Sequence, residues 1–537
     1  MSEIVELKPD YYLSNFRKLT LHATEWYPDL LSQVEHAWIT AFEQLEKDAQ
    51  CLLVRLLSRK GEWFRSDKLQ YLEINSIPAA LDALHQQGFI ALNPKLNETE
   101  LARQLLTKAE IVALFSVSSR TLRKEQMLNE LSNDDFTRFE QLPFTVIKLL
   151  QSQVIDLLLA LFFANTRQDL SQFVLDDLGL HRFENYSLSN TRRFFSDRHQ
   201  LDQLLALSQL HQCYSESNTR DFDNLTKLLQ QIPDPIAHSY IERKRQHLIN
   251  DLARDLERIG QLTDAIFWFK RSGLPPSRER QARIYDKLDD TQAMSDVVTE
   301  ILSTPYDICE LEIGHKLAQR IKRKRGERVT RPQKPQVIEH HLQLDLSTQG
   351  VELAVKSHFE QLGYHVFYAE NAVLTGLFGL AFWEVIFAPI EGAFINPYQD
   401  RPLDLYHADF VTKRHSQIEA VLEKIAQFGL SHLRECYQLK HGLSNPFVYW
   451  HSFDLPLLNK CIESMPNEMV VGLFNVLLSD LKIYRNGMPD LILFKDGHFE
   501  WVEVKGPGDK LQDNQWRWFY QFTQLNVPFS VAYVTAI

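Results

Sequence analysis

The chain is 537 residues long, which at about 150 residues per domain gives three to four domains and enough chain to bury several cores. Lys and Arg number 58 against 70 Asp and Glu, a formal charge of -12, so a uniformly basic coat is excluded and any polyanion site is a local patch. With 44% apolar and 24% charged residues, 19 Gly and 21 Pro, a disordered or collagen-like chain is excluded as well. The five cysteines, Cys51, Cys213, Cys309, Cys436 and Cys461, are odd in number, scattered and never paired as CxxC. Free thiols in a reducing, cytoplasmic compartment are expected, with neither a disulfide framework nor a zinc knuckle. The first ten residues, MSEIVELKPD, lack the basic cluster and apolar run of a secretory signal.

From Tyr11 to about Leu170 apolar residues recur at helical spacing, as in Leu52, Leu53, Leu56 and Leu57, and the region is expected to be mostly helix. Within it, Gln50 to Leu92 reads as a helix, a short Glu62-Trp63-Phe64 stretch, a polar turn, and a helix from Pro78 to Gly88 ahead of Phe89 and Ile90. That order resembles a winged helix; a generic helical hairpin fits it equally. Leu105 to Leu131 places two short amphipathic helices around Ser116-Val117-Ser118-Ser119, with Arg120, Arg123 and Lys124 at the start of the second. DNA-binding SAP modules look like this, and so do ordinary surface hairpins.

From about Ser189 to Arg325 the pattern is again helical, with a turn at Gly260 leading into Leu262 to Phe269 and a further helix after Pro275-Pro276. Paired helices of this kind resemble tetratricopeptide-like units, without a strict repeat of about 34 residues. Lys316 to Lys334 carries nine cations, among them Lys322, Arg323, Lys324, Arg325, Arg328 and Arg331, against the single acid Glu327. It reads as a helix running into an extended linker, either a solvated connector or a phosphate-backbone contact. The apolar stretch Ala372 to Ile390 contains Glu384 and Pro389, which argue against a membrane span.

After Val351 helices mix with strands, and Gly487 to Gly508, GMPDLILFKDGHFEWVEVKGPG, is the most informative stretch. Two β-rich runs flank Asp496-Gly497, the dipeptide favoured in a two-residue type I′ turn because both turn residues need positive φ. The turn sets Lys495 opposite His498 and, counting outward, Asp490 opposite Glu503. Opposed side chains have Cβ atoms about 4.5 to 5.5 Å apart, close enough for two carboxylates to share one cation. Lys505 falls on the same face as Glu503, and His498 on the other. The neighbours Ile492, Phe494, Phe499 and Trp501 suggest that this face is turned inward, where charge without a task is uncommon. Oxygen ligands without Cys or His suit Mg²⁺ or Mn²⁺ and phosphodiester hydrolysis. Lys505 can orient or deprotonate the attacking water, or stabilise the transition state as a fixed cation, and the residues leave these open.

Pro489-Asp490 followed by Glu503-Val504-Lys505 resembles the PD-(D/E)xK nuclease motif, and GMPDL, EVKGPGDKL, Gln515 and Trp518 resemble its VRR-NUC branch. Glu370-Asn371 ahead of the apolar run to Trp383, and Arg401-Pro402-Leu403-Asp404-Leu405 after it, are similar to the Fanconi-associated nuclease family. The resemblance implies that Asp490, Glu503 and Lys505 are catalytic, that Glu370 and the carbonyl of Val504 join Asp490 and Glu503 around the metal, and that Gln515 sits on the helix after the catalytic strand. Glu384 is taken as structural. It further implies a structure-selective, metal-dependent nuclease that cuts near 5′ flaps, digests 5′ to 3′ and serves interstrand-crosslink repair, nucleoid-associated if bacterial. Eukaryotic members carry an N-terminal ubiquitin-binding zinc finger; no cysteine precedes Cys51, so ubiquitin-directed recruitment is not expected.

The expected architecture is multidomain and mainly α, with a C-terminal α/β, restriction-endonuclease-like nuclease domain. Residues 1–100 form a helical or winged-helix-like DNA-binding region, 101–170 a SAP-like module, 171–335 a tetratricopeptide-like array ending in the basic linker, and 336–537 the VRR-NUC domain. Arg120, Arg123, Lys124 and Lys322 to Arg325 are the expected DNA contacts, and branched or flap DNA the partner, with no membrane and no small-molecule cofactor. A junction-resolving nuclease and an inactive helical adaptor are the alternatives.

Overall fold

The structure, a computed structural model, describes residues 8–168, 170, 171, 173, 181–188, 193–329, 333–347, 349–368 and 370–537. Ser189 and Arg331, both singled out above, lie outside the described residues. The chain divides into two compact units: Met1–Leu180 with Arg193–Gln209, and His181–Arg192 with Leu210–Ile537.

The first unit begins with helices Tyr11–Trp26, Gln33–Gln44 and Lys47–Leu57. Ser32 and Glu35 form a reciprocal capping box that fixes where the second of these starts. Strand β1 (Trp63–Arg65), helix Ile77–Gln86 and strand β2 (Ile90–Leu92) follow, the helix having Pro78 in its first turn and Gly88 at φ +76° just past its end. Farther along the chain, Val146–Leu149 forms strand β3, which sits between β1 and β2 and is antiparallel to both. The N-terminal region is mostly helical, as its spacing implies, and the small three-stranded sheet is the part that periodicity does not reveal. Four residues carry too short a pattern to show period 2, and their partners lie far back in sequence. Between β2 and β3, helices Glu98–Leu105, Lys108–Leu114 and Lys124–Leu128 enclose a small core of Leu101, Ile111, Phe115, Met127 and Phe136.

His22 is buried in this unit, its ring against Trp26 and Phe162 and its Nε2 without a hydrogen-bond partner. Burial pulls its pKa down from 6.5 to about 4. A lowered imidazole pKa means that the unfolded chain binds the proton more readily, so the stability is full above pH 6.5 and is lost as pH falls towards 4. The loss expected between those limits is about 3 kcal/mol. Thermal melts across this range will show it, and His22→Phe, which keeps an aromatic ring there, will flatten the pH dependence.

In the second unit helices Phe222–Gln230, Ser239–Arg258, Leu262–Phe269, Ser277–Lys287, Thr291–Ser303 and Ile308–Lys324 pack each against the next. Carboxylates buried between them are gripped by cations from other helices of the array: Glu257 by Arg280 and Lys287, Asp286 by Arg320 and Lys324, Glu310 by Arg278. The array is thus held in register by charge as well as by apolar contact.

The C-terminal sheet has the order β4-β8-β7-β6-β5, built from β4 (Ile338–Leu344), β5 (His365–Tyr368), β6 (Leu491–Lys495), β7 (His498–Lys505) and β8 (Phe529–Ala536). Strand β8 runs parallel to β4 and β7, whereas β6 is antiparallel to β5 and β7. Helix Val351–Gln361 covers one face, with Val355 and Phe359 against Leu493, Val502 and Val504. Helix Asp513–Leu525 and a helical insertion between β5 and β6 cover the other, with Trp518, Phe519 and Phe522 in one core with Ile492, Phe494 and Trp501. Burial on both faces explains why β6 is apolar from Leu491 to Phe494 rather than alternating. The apolar run after Glu370 breaks into helices Ala372–Ala381 and Trp383–Ile386, and among the described residues no helix is long and apolar enough to cross a membrane. Glu384 stays at the surface, 3.5 Å from Lys440. The fold is mainly helical with a C-terminal α/β domain.

Candidate active site

The β6–β7 hairpin takes the expected register, Lys495 opposite His498 and Leu491 opposite Val502, with Asp496 and Gly497 at φ +51° and +75°. One step outward, Asp490 and Glu503 come together. Asp490 Oδ2 accepts from the Val504 N–H at 2.8 Å. Glu503 is 1% exposed and Lys505 7%. The Lys505 ammonium lies 2.7 Å from Glu503 Oε1, and Gln515 Nε2 donates to the same oxygen. The Gln515 carbonyl oxygen accepts from the Gln512 N–H and so caps its own helix, which fixes the amide's orientation.

Glu503 Oε2 is buried and has no hydrogen-bond partner. Burial, and then the charge of Asp490, push the Glu503 pKa up to about 8 against the pull of Lys505. Burial raises Asp490 too, opposed by the Val504 N–H and Lys505. Two carboxylates forced together out of water, one oxygen of them unbonded, form a donor set that suits a hard divalent cation. Among the described residues no three carboxylate, imidazole or thiol groups stand already gathered as a metal cluster. Glu370 is exposed at the rim, its carboxylate accepting from Asn371 Nδ2 at 3.2 Å and its own N–H donating to the Asp490 carbonyl at 3.1 Å. Its charge nonetheless reaches Asp490. The expected catalytic and acidic metal-binding side chains therefore share one neighbourhood, four of them (Asp490, Glu503, Lys505 and Gln515) on the hairpin and its covering helix and Glu370 beside them.

Residues not singled out as functional hold this arrangement. Asn371 Oδ1 accepts from the Met488 N–H at 3.1 Å, which ties the start of helix Ala372–Ala381 to the loop carrying Asp490. Trp518 Nε1 donates to the Asn486 carbonyl at 3.0 Å. Gly487, at φ +91°, lies so close to helix Asp513–Leu525 that a Cβ would meet the Asn514 carbonyl oxygen at 2.9 Å. The motif's glycine and tryptophan are thus the contact between loop and helix.

Of the expected DNA contacts, three belong to the first unit and four to the second. Arg120 and Arg123 are exposed, and Lys124 donates to the carbonyls of Arg103 and Leu106, closing the end of helix Glu98–Leu105. Of the basic helix, Lys322, Arg323 and Arg325 are exposed, while Lys324 is held 2.7 Å from Asp286 and 3.1 Å from Asp289. Glu312 on the same helix pairs with Arg517 through two bonds of 2.7 and 2.8 Å, and Lys316 with Asp513 at 2.7 Å, so the basic helix is fastened to the helix that carries Gln515. Sequence reading did not bring together half-buried Arg243, Asp404, Asp409, Lys482 and His407, a cluster of mixed charge in which burial pulls the His407 pKa down to about 4. These positions are too far apart in sequence to form a motif.

A mixed five-stranded sheet, covered on both faces and carrying Asp490 with Glu503-Val504-Lys505 on its central hairpin, defines a nuclease domain of the PD-(D/E)xK class. Residues 430–536 match the family described as VRR-NUC domain, residues 10–91 that described as FAN1, HTH domain, and residues 100–141 that described as Fanconi anemia-associated nuclease SAP domain. The Fanconi-associated nuclease 1 homolog of Pseudomonas aeruginosa is 34% identical over 542 residues, covering 98% of this chain and 96% of its own length. The Arabidopsis thaliana homolog is 25% identical and the Homo sapiens protein 24%; the alignments cover 95% and 98% of this chain but 65% and 62% of theirs. A crystal structure of paFAN1 bound to 2nt 5′ flap DNA with gap has a TM-score of 0.89 to this chain, 34% identity and 99% coverage of both. The chain belongs to the Fanconi-associated nuclease family.

The carboxylate pair generates a prediction of its own. A carboxyl whose folded pKa is raised favours the folded state fully below its unfolded value near 4.5, and that contribution is lost as pH rises through about 8. Metal binding needs the ionised form, so Mg²⁺ or Mn²⁺ will raise the melting temperature by several degrees, about 3 to 5 °C, at pH 8.5 and less at pH 6.5. Scanning fluorimetry checks this; Glu503→Gln will abolish the metal-dependent shift.

Proposed function

We propose that the protein hydrolyses phosphodiester bonds in 5′-flap DNA, as an endonuclease near the branch and a 5′-to-3′ exonuclease, in interstrand-crosslink repair. The observation that carries the chemistry is the buried, unbonded Glu503 Oε2 beside Asp490. Asp490, Glu503, Glu370 and the Val504 carbonyl would hold Mg²⁺ or Mn²⁺, which when bound polarises the phosphoryl oxygen and lowers the pKa of water. Asp490 is oriented by the Val504 N–H, and Glu503 by Lys505 and Gln515. The Lys505 ammonium, donating to Glu503, would be a fixed positive charge for the negative charge that develops on the phosphoryl oxygens, the role its geometry supports best. The flap preference rests on membership of the family and on paFAN1, which is bound to 5′ flap DNA at 34% identity.

Cleavage of a labelled 5′-flap duplex with Mg²⁺ or Mn²⁺ tests the reading. Asp490→Ala is expected to lower the rate by a factor of about 10³ or more, as loss of a principal charge-stabilising group does. DNA binding is expected to remain. Equal cleavage by wild type and variant would refute the assignment, and faster cutting of a four-way junction than of the flap would favour the resolvase.

We also propose that Lys322, Arg323 and Arg325 touch phosphates, because they are exposed on a helix fastened to the Gln515 helix. Replacing all three by Ala should weaken binding to every DNA similarly and flatten the plot of log affinity against log salt by about 0.7 to 0.9 per lost contact. Lys324→Ala should instead lower thermal stability, since its ion pairs with Asp286 and Asp289 hold neighbouring helices.

A further inference from the structure

The face of the sheet that carries Glu503 and Lys505 does not end with β7. In the parallel pairing of β7 with β8, Lys505 lies beside Tyr533, and in that of β8 with β4, Tyr533 lies beside His341. Register partners in parallel strands point to the same face. Lys505, Tyr533 and His341 therefore make one row across three strands. Tyr533 is half-buried at the margin of the same apolar core as Trp501, which confirms the face.

The imidazole of His341 is stacked on the Tyr533 ring, with centroids 5.7 Å apart and planes 16° from parallel, and His341 Nε2 lies 3.3 Å from the Glu339 carboxylate. On this side β4 is bare: Glu339, His341 and Gln343 are exposed, the His341 side chain at 73%. The Tyr533 hydroxyl has no hydrogen-bond partner among the described residues. Burial raises its pKa, and the charges of Glu339, Lys505 and Glu503 all act on it, so it remains a neutral O–H donor within reach of the catalytic ammonium's field. A polar shelf one strand wide thus leads from Lys505 to the open edge of the sheet.

We propose that Tyr533 is a substrate-binding residue: its hydroxyl donates to a phosphate adjacent to the scissile one, and the stacked His341 is a positioning residue that holds the phenol ring. The DNA strand being cut runs along the row from Lys505 over Tyr533 towards β4. This deepens the nuclease reading and rests on it. Tyr533→Phe removes only the donor and keeps the ring. Because the contact is made equally in ground and transition states, it raises KM and leaves kcat alone.

The test is steady-state cleavage of the 5′-flap duplex by the full chain with Mg²⁺. Tyr533→Phe is expected to raise KM about tenfold, the usual value of one hydrogen bond to a charged acceptor, with kcat within about twofold and the melting temperature unchanged. His341→Ala should raise KM about threefold, and His341→Phe, which restores the stack, should recover most of that loss. An unchanged KM in Tyr533→Phe, or a loss confined to kcat, would overturn the proposal. If the wild type leaves the flap intact, the nuclease reading is what fails. The Tyr533 contact is then read from fluorescence anisotropy of the same duplex in Ca²⁺, where Tyr533→Phe must weaken binding about tenfold to stand.

Discussion

Asp490 and Glu503 face each other across a two-residue turn in a place from which most water has been removed, and the surrounding structure is arranged to tolerate that. When both are ionised they repel, and burial adds to the penalty, which is why the Glu503 pKa is pushed up to about 8. The protein offsets part of it with one N–H on Asp490 and with Lys505 and Gln515 on a single oxygen of Glu503. The other oxygen is left unbonded. The Arg414 and Asp404 pair in the same unit, equally out of water, is matched through two bonds of 2.8 and 3.2 Å with further bonds to carbonyls. The contrast separates a site that stores unfavourable charge for a cation from one that has already neutralised it.

Holding such a pair demands rigid support, and the residues around the carboxylates supply it. Gly487 lets the Asp490 loop approach helix Asp513–Leu525 to backbone distance, Trp518 bonds that loop, and Asn371 bonds it from the opposite side. Gln515 is fixed at one end by its helix cap and uses the other to hold Glu503. Residues that look in sequence like neighbours of the catalytic motif are therefore the clamp that keeps its two strands and its helix in one geometry.

The hairpin was legible because a two-residue turn of Asp496-Gly497 fixes register, and register alone brings residues 490 and 503 together. The inward orientation of Phe494 and Trp501 was legible from alternation, although both faces of β6 proved to be buried and not one. The helical array could be read from its turn at Gly260 and from the helix after Pro276. Strand β3 could not, since its partners are supplied by segments far behind it in the chain and a local window holds only four of its residues. The same limit hid Arg243, Lys482 and His407, as well as the row that joins Lys505 to Tyr533 and His341. Composition does not show that Lys124 also bonds the carbonyls of Arg103 and Leu106, or that Lys324 pairs with Asp286.

The chain carries a net charge of -12, and helix Ile308–Lys324 concentrates part of its positive charge. Its last turn carries Lys322, Arg323 and Lys324, where cations also suit the negative end of the helix dipole. Its earlier turns are occupied in fastening it: Glu312 to Arg517, Lys316 to Asp513, and Arg320 to Asp286. Acids and bases within one helix are thus divided between attachment and a positive tip. Because Arg517 and Asp513 belong to the helix that positions Gln515 on Glu503, the attachment runs without a break from that tip to the carboxylates. Net acidity elsewhere disfavours non-specific attachment of a polyanion to the rest of the surface.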